Sequence, residues 1–251
     1  MSVLNILWRN LKWRFHNKFT IIITILQPML WLVLYSAVAG QTMQGMGIEN
    51  YTAFILPGLV VLVSFSACSS NGIMNYMLKT NGSFYRILIA PISRSSIVLG
   101  QMLEAVLCAA LEVIIMCIVG LFFSATIASG ITGILLISVI VFLTSFFISG
   151  LTYTISLCLP NEVIYETVMN AIVLPIFFLS TALFPADELS GVLVIAVNIN
   201  PFTHVINALR GLFLEKGVFL VDVLPVIALL LVMSIGSFVL AVWKLKKEIS
   251  E

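Results

Sequence analysis

The sequence predicts an all-α, polytopic membrane protein with six transmembrane helices, an N-terminal amphipathic helix at the membrane interface, and broken, re-entrant helices before the last span. Hydrophobic residues make up 61% of the 251 residues and charged residues only 9%, too few to cover the core of a soluble domain of this size. Ten of the twelve Lys and Arg fall within residues 9–18, 79–94 and 244–247. Apolar runs long enough to cross a bilayer separate these basic stretches.

The N-terminal stretch, residues 3–16, has the pattern of an amphipathic helix. Basic residues lie largely on one face, and the opposite face carries apolar residues at helical spacing: Leu4, Leu7, Trp8, Leu11 and Phe15. A basic amphipathic helix with tryptophan lies in the membrane interface rather than across it. We therefore place residues 1–18 on the cytoplasmic leaflet.

The apolar runs predict six crossings within one transmembrane domain, residues 1–251. The expected spans are residues 19–39, 53–74, 95–123, 134–157, 167–183 and 221–242. The uncharged stretch between Glu112 and Glu162 is too long for one crossing of a hydrocarbon layer about 30 Å thick, and the weakly polar residues 124–133 divide it. Because cytoplasmic loops carry an excess of Lys and Arg, we place both termini and the loop at residues 76–94 in the cytoplasm.

The loop at residues 76–94 has a pattern of its own. A turn at Asn81 and Gly82 precedes the sequence FYRILIA, about two helical turns long. Pro91 then disfavours helix at the residue before it. The pattern predicts a short amphipathic helix under the membrane, which is the candidate contact for a cytoplasmic partner.

Residues 184–219 are too polar for a regular span and too apolar for a solvated loop. Two half-helices, broken at Asn200 and Pro201, fit this pattern better, on the extracellular side. Non-helical backbone at membrane depth is tolerated only where protein or a wet cavity surrounds it. We therefore expect this re-entrant region to cap the bundle.

Two carboxylates lie inside the third predicted span. At about 1.5 Å of rise per residue, Glu104 lies roughly 13 Å deep, near the midplane, and Glu112 lies near the outer boundary. A midplane carboxylate costs on the order of 3 kcal/mol, so it should face protein or water. The pair fits either a proton, cation or substrate pathway, or hydrogen bonds to a neighbouring helix or across a dimer interface. His204 likewise fits either a cap on the broken helix or a pH switch.

Several functions lack their signatures in the sequence. No G-x-x-x-x-G-K-[ST] phosphate-binding loop occurs, so we expect no ATPase site and no enzyme activity in this chain. The two histidines, His16 and His204, are predicted on opposite membrane faces, and no zinc-binding spacing occurs. The basic residues follow one membrane face rather than forming a patch for nucleic acid.

The order of these elements resembles the membrane subunit of ABC-2 type ATP-binding cassette exporters, in the drug and antibiotic export branch. The resemblance covers nearly the whole chain and is most specific in RILIAPISRSSIVLGQML at residues 86–103, LFPADELSG at residues 183–191 and NINPFTHVINALRGLF at residues 198–213. Residues that match the family's patterns are Pro91, Ser93, Arg94 and Gly100, then Phe184, Pro185, Asn200, Pro201, Phe202, Thr203 and Arg210.

The resemblance implies a permease subunit, paired in the bilayer with an identical or sister permease and driven by two copies of a separate ATPase subunit. That partner binds ATP and Mg²⁺, and this chain needs no cofactor. The candidate residues for coupling to the ATPase are Phe84, Tyr85, Arg86, Pro91, Arg94, Trp8 and Arg9. The broken helices resemble the family's extracellular gate, and the candidate pathway or gate residues are Glu104, Glu112, Asn200, Pro201, His204 and Arg210.

The expected function is export of a hydrophobic drug, antibiotic, peptide or lipid-like compound across the plasma membrane, in a bacterium. One alternative is export of a polysaccharide or glycoconjugate, whose pathway would be lined by aromatic rings. The rings of Trp31, Tyr35 and Phe146 could face either such a pathway or lipid. Another is a proton-coupled secondary transporter that uses Glu104, although no internal repeat relates the two halves of the chain.

Overall fold

The computed structural model describes residues 3–16, 18–44, 50–89, 91–125, 127–183, 191–215 and 220–248. Every regular element in these ranges is an α-helix, which confirms the predicted all-α class. The helices are α1 (Val3–His16), α2 (Lys18–Gln44), α3 (Tyr51–Thr80), α4 (Ser83–Ile89), α5 (Arg94–Phe122), α6 (Gly130–Cys158), α7 (Glu162–Phe178), α8 (Val192–Ile199), α9 (Pro201–Leu214) and α10 (Leu220–Glu248).

Four of the described helices, α3, α5, α6 and α10, are long and apolar enough to cross a membrane. The pair α8 and α9 qualifies only if the two helices count as one span bent by 76°. The predicted first span falls in α2, where Leu26–Val38 is a shorter apolar segment. The predicted fifth span falls in α7, which has 17 residues. The described helices thus provide four or five spans, and six spans stay a prediction.

The bounds of α7 differ clearly from the predicted span at residues 167–183. The helix begins earlier because the side chain of Asn161 accepts a hydrogen bond from the amide of Ile164 (2.9 Å) and caps the N-terminus. It also ends earlier, at Phe178, and turns occupy residues 179–183. Pro175 lies in the last turn of the helix, where its ring removes a backbone donor.

Helix α3 is the centre of the bundle, with α2, α5, α6, α7 and α9 packed around it. Its side chains Ile55, Leu56 and Leu59 are fully buried. The chain that follows α7 comes very close to α3 at Gly58, where an added Cβ atom would lie 2.7 Å from the Cβ of Ala182. This contact requires glycine, because any side chain would displace the neighbouring backbone.

A second hydrophobic core lies where α3 ends and α5 begins. Phe84 and Ile87 of α4 are buried there among residues of α1, α3, α5, α6 and α10. Helix α1 packs on α5, and a Cβ atom added at Gly100 would lie 2.9 Å from the side chain of Ile6. We call this the basic end of the bundle, defined by α4, the start of α5 and the end of α10.

The predicted break at Asn200 and Pro201 is present between α8 and α9. The side-chain oxygen of Asn200 accepts a hydrogen bond from the amide of Phe202 (3.0 Å) and caps α9. Its amide group donates to the carbonyls of Ile176 and Leu179 (2.7 Å each). One asparagine therefore starts α9 and also ties it to the end of α7.

Candidate functional site

A groove opens on the side of the bundle between α2, α3 and α7, with a volume of about 460 Å³. Its lining is mainly apolar but includes a set of polar side chains: Gln27, Ser66, Ser69, Ser70, Glu166 and Asn170. Small-molecule sites are typically concave and mostly apolar, with a few polar groups that fix orientation. The groove therefore has the lining that an amphiphilic ligand requires.

Aromatic rings form part of the groove. Trp31 and Tyr35 of α2 stack with their ring centroids 5.5 Å apart, and Trp31 is 43% exposed. On the opposite wall, Tyr165 of α7 is fully buried, and its hydroxyl donates to the carbonyl of Ser69 (3.0 Å). A Cβ atom added at Gly72 would collide with the Tyr165 phenol. Helices α3 and α7 are thus packed closely together on that wall. The rings of Trp31 and Tyr35 on α2 line the groove opposite it.

The structure separates the three aromatic residues that were candidates for a sugar pathway. Trp31 and Tyr35 line the groove. Phe146 packs instead against Phe142 of its own helix and Phe238 of α10, with ring centroids 6.0 and 6.3 Å apart. Phe146 therefore belongs to the packing between α6 and α10.

A second set of buried polar residues lies where α3 packs against α5 and α6, and we call it the polar seam. Its members are Cys68, Asn71 and Asn75 of α3, Gln101 of α5, and Ser145, Ser149, Thr152 and Ser156 of α6. Asn71 donates to the carbonyl of Gln101 (2.6 Å). Asn75 donates to the hydroxyl of Ser156 (3.1 Å). Such interhelical hydrogen bonds connect apolar helices that lack a hydrophobic driving force between them.

The two intramembrane candidates, Glu104 and Glu112, are buried in protein, with exposed fractions of 1% and 5%. They share the face of α5 that carries Gln101, since about 100° of rotation per residue puts the three within roughly 80° of one another. The thiol of Cys108 lies 3.6 Å from Oε1 of Glu104. Neither carboxylate belongs to the lining of the groove.

Helix α4 has one face in the bundle and one on the surface. Phe84 and Ile87 are buried, whereas Tyr85 and Ile89 are 61% and 84% exposed and Arg86 is exposed. Among the coupling candidates on this helix, Phe84 therefore fastens the helix to the bundle. Tyr85 and Arg86 are accessible to another subunit.

The remaining coupling candidates of this loop are Pro91, which lies between α4 and α5, and Arg94, which is the first residue of α5. The hydroxyl of Ser93 accepts a hydrogen bond from the amide of Ser96 (3.3 Å) and caps α5. Arg94 Nη1 donates to the carbonyl of Leu88 near the end of α4 (2.8 Å). Pro91 is exposed. Arg94 therefore joins α4 to α5, and Pro91 contributes to the surface.

Helix α1 packs by a different face from its predicted apolar one. Trp8 is 70% exposed, whereas Ile6 and Asn10 are buried. Asn10 Nδ2 donates to Oε1 of Gln101 on α5 (3.1 Å), and its Oδ1 accepts from Arg9 Nη2 (2.8 Å). This buried pair with α5 sets the rotation of α1 and leaves Trp8 on the open side.

At the opposite end from α4, Arg210 joins three elements. Its Nε donates to the carbonyl of Phe54 on α3 (3.2 Å), and its Nη2 donates to the carbonyl of Thr181 after α7. The guanidinium carbon lies 3.8 Å from the centroid of the Phe54 ring, within the range of a cation–π interaction. Arg210 therefore ties α9 to α3 and α7.

The other gate candidates surround the break between α8 and α9. Asn200 and Pro201 form the break itself, and His204 Nε2 lies 3.0 Å from the carbonyl of Asn198 across it. This contact fits the interpretation of His204 as a cap. Phe184 and Pro185 lie outside the described residues.

Several contacts at the basic end were not predicted from the sequence. Lys79 forms an ion pair with Glu248 (2.8 Å), and Asn10 pairs with Gln101. Residues so far apart in the chain leave no local pattern that a single sequence can show. Within the described ranges, no group of three or more His, Cys, Asp or Glu is placed to hold a metal ion.

Comparisons with known proteins agree with the resemblance. The family described as ABC-2 type transporter matches residues 1–214. The putative transport permease ycf38 of Porphyra purpurea is 28% identical over 197 residues, which cover 77% of this chain and 67% of the relative. The ycf38 permease of Cyanophora paradoxa is also 28% identical, over 77% and 68%. Nodulation protein J of Rhizobium leguminosarum bv. trifolii is 25% identical over 89% and 84%.

Proposed function

The chain belongs to the ABC-2 type transporter family as a membrane permease, and we propose that it is the transmembrane subunit of an ATP-driven exporter of amphiphilic compounds. The observation that carries this proposal is the groove between α2, α3 and α7. If two permease subunits form the translocation pathway between them, each subunit provides half of its wall. That half must be open towards the second subunit. The groove has this form, and its apolar lining with a few polar side chains suits a drug, peptide or lipid-like compound.

We further propose that a separate subunit supplies the energy for transport. Two copies of a separate ATPase subunit bind ATP and Mg²⁺, and the exposed face of α4 is their contact on this chain. Tyr85 and Arg86 form the centre of that contact, because an aromatic ring and a guanidinium are the residue types that dominate binding energy at interfaces. Phe84, buried beneath them, passes the motion to the bundle.

The orientation follows from the charges. We place the basic end, with both termini, in the cytoplasm, and α1 in the inner membrane interface with Trp8 towards lipid. Helices α2 and α7 then provide the two remaining crossings of a six-span subunit, in a bacterial plasma membrane. Arg210 and the break at Asn200 lie on the extracellular side, where the path opens.

Replacing the exposed pair tests the coupling assignment. The double variant Tyr85→Ala/Arg86→Ala should reduce both co-purification of the ATPase and transport by about tenfold or more. Membrane insertion and yield should not change, because both side chains lie on the surface. The measurement is a pull-down from native membranes in mild detergent, followed by an ATPase assay.

The matched control for this pair lies on α10. Trp243 is 60% exposed and Lys246 is exposed at the same end of the bundle, so Trp243→Ala/Lys246→Ala removes an aromatic ring and a cation away from α4. This control should retain the ATPase. Equal recovery of the ATPase with both double variants would exclude α4 as its contact.

A glycoconjugate is the second candidate substrate, favoured by the stacked rings of Trp31 and Tyr35 in the groove. Aromatic faces pack against the apolar faces of sugar rings, and the polar groups of the groove suit hydroxyls. For such a substrate, Trp31→Ala should weaken stimulation of the ATPase by a lipid-linked glycan about tenfold, whereas Trp31→Phe should retain most of it. Stimulation by hydrophobic drugs alone, unchanged in Trp31→Ala, would contradict this candidate.

A further inference from the structure

The end of α10 lies in the same hydrophobic cluster as α4 at the basic end, and an ion pair between α3 and α10 adds a polar contact beside it. We propose that Lys79 and Glu248 are positioning residues, which hold α4 against α10 so that a movement of α4 also moves the last span. The inference rests on the proposed function of α4 as the contact for the ATPase. In this proposal, the last turns of α10 help to transmit the movement of α4 to the rest of the bundle.

The contact is specific. Lys79 Nζ lies 2.8 Å from Oε1 of Glu248, and the two side chains are 24% and 29% exposed. The same Nζ lies 5.3 Å from the centroid of the Phe84 ring on α4, within the range of a cation–π interaction. A single ammonium group at the end of α3 thus contacts both α10 and α4.

Helix α4 depends on such contacts because it has only 7 residues. Isolated helices of this length are not stable in water. Two buried side chains, Phe84 and Ile87, and the hydrogen bond from Arg94 to the carbonyl of Leu88 hold it in place. Lys79 adds a polar contact, which joins Phe84 of α4 to Glu248 of α10.

Helix α10 is built to receive a movement at this end. Its 29 residues extend about 43 Å, more than the hydrocarbon layer of about 30 Å requires. Ala241 and Leu245 are fully buried in the same cluster as Phe84. Further along, Ser234 donates to the carbonyl of Leu143 on α6 (3.0 Å). A displacement of α4 would therefore act on α10 and, through it, on α6.

An ion pair with this exposure contributes little to the stability of the whole fold. Its loss should therefore appear in coupling, as less transport for each ATP hydrolysed, and not in folding. A lower transport per ATP with unchanged stability would indicate a positioning role, whereas a loss of stability would indicate a structural one.

Charge reversal tests the pair in the intact complex with its co-purified ATPase, reconstituted in proteoliposomes. Lys79→Glu and Glu248→Lys should each lower the amount transported per ATP by about threefold. The double variant Lys79→Glu/Glu248→Lys restores the ion pair but not the cation–π contact with Phe84, so it should recover part of that loss. Lys246→Glu, a charge reversal at an exposed neighbour, should leave the ratio unchanged.

A second measurement reports on the position of α4 without the ATPase. Spin labels on cysteines replacing Ile89 and Trp243, both exposed, give the distance between α4 and α10 in a background without native cysteines. Each single reversal should broaden this distance distribution, and the double reversal, which restores only the ion pair, should narrow it in part.

The two measurements distinguish failure of the positioning role from failure of the proposed function. Unchanged distances and transport ratios in the single variants, or no recovery in the double variant, would overturn the positioning role. If no ATPase co-purifies with the wild-type chain, the proposed function fails. The spin-label distances would then still decide whether Lys79 and Glu248 hold α4 against α10.

Discussion

Helix α3 has polar residues on two faces that differ in what lies against them. On one face, Cys68, Asn71 and Asn75 belong to the polar seam and are buried against α5 and α6. On another face, Ser66 and Ser70 line the groove towards α2 and α7, and Ser66 is exposed. Polar side chains of this apolar helix therefore either pack against neighbouring helices or line a space that is open to a ligand.

The difference lies in the partners of these groups. In the seam, the thiol of Cys68 donates to the carbonyl of Ser145 (3.3 Å), and the carbonyl of Cys68 accepts from Thr152 (3.2 Å). Such bonds to the backbone hold α3 and α6 close together, so nothing can pass between them. Ser66 borders a space of about 460 Å³ instead. The composition of a helix thus does not distinguish a pathway from a contact surface, but the packing does.

The largest effect is expected from overfilling the seam. Ser145 is completely buried, so Ser145→Leu adds carbons where no space exists and should lower the free energy of unfolding by about 2–3 kcal/mol. The matched control, Ser66→Leu, makes the same change in the groove and should stay within about 0.5 kcal/mol. Thermal unfolding in detergent measures the stability of both variants. Equal losses of stability in the two variants would contradict the difference in packing between the seam and the groove.

A smaller effect is expected from removing one seam hydrogen bond. Asn71→Leu loses the donor to the carbonyl of Gln101 and should cost about 1 kcal/mol, the usual size for interhelical hydrogen bonds in membranes. Asn170→Leu replaces an exposed asparagine of the groove and should leave the unfolding temperature unchanged. A larger loss of stability in Asn170→Leu than in Asn71→Leu would contradict the distinction between the groove and the seam.

Much of the fold could be predicted because its signals are local. The short helix α4 follows from the turn at Asn81 and Gly82, and the break before α9 follows from Asn200 and Pro201. Composition alone indicated a membrane bundle. The end of α7 was less predictable, because a proline such as Pro175 is tolerated inside a membrane helix and gives no definite stop signal.

The candidate site was predicted less completely, because its parts meet only in three dimensions. The side chains of Gln27, Ser66 and Asn170 come from three helices, and none is unusual in its own segment. The ion pair between Lys79 and Glu248 joins residues 169 positions apart. Glu104 was conspicuous in the sequence, but only the structure shows that it is buried in protein and does not line the groove.

The most direct test of the central claim compares access to the two polar faces during transport. In a background whose native cysteines are replaced, Ser66→Cys and Ser149→Cys carry one thiol each, in the groove and in the seam. A bulky maleimide should modify the thiol at position 66, and transport should then fall about tenfold. Bound substrate should protect this thiol from modification. The thiol at position 149 should stay unmodified. Full transport after complete modification at position 66, or equal reactivity at position 149, would contradict the assignment of the groove as the pathway.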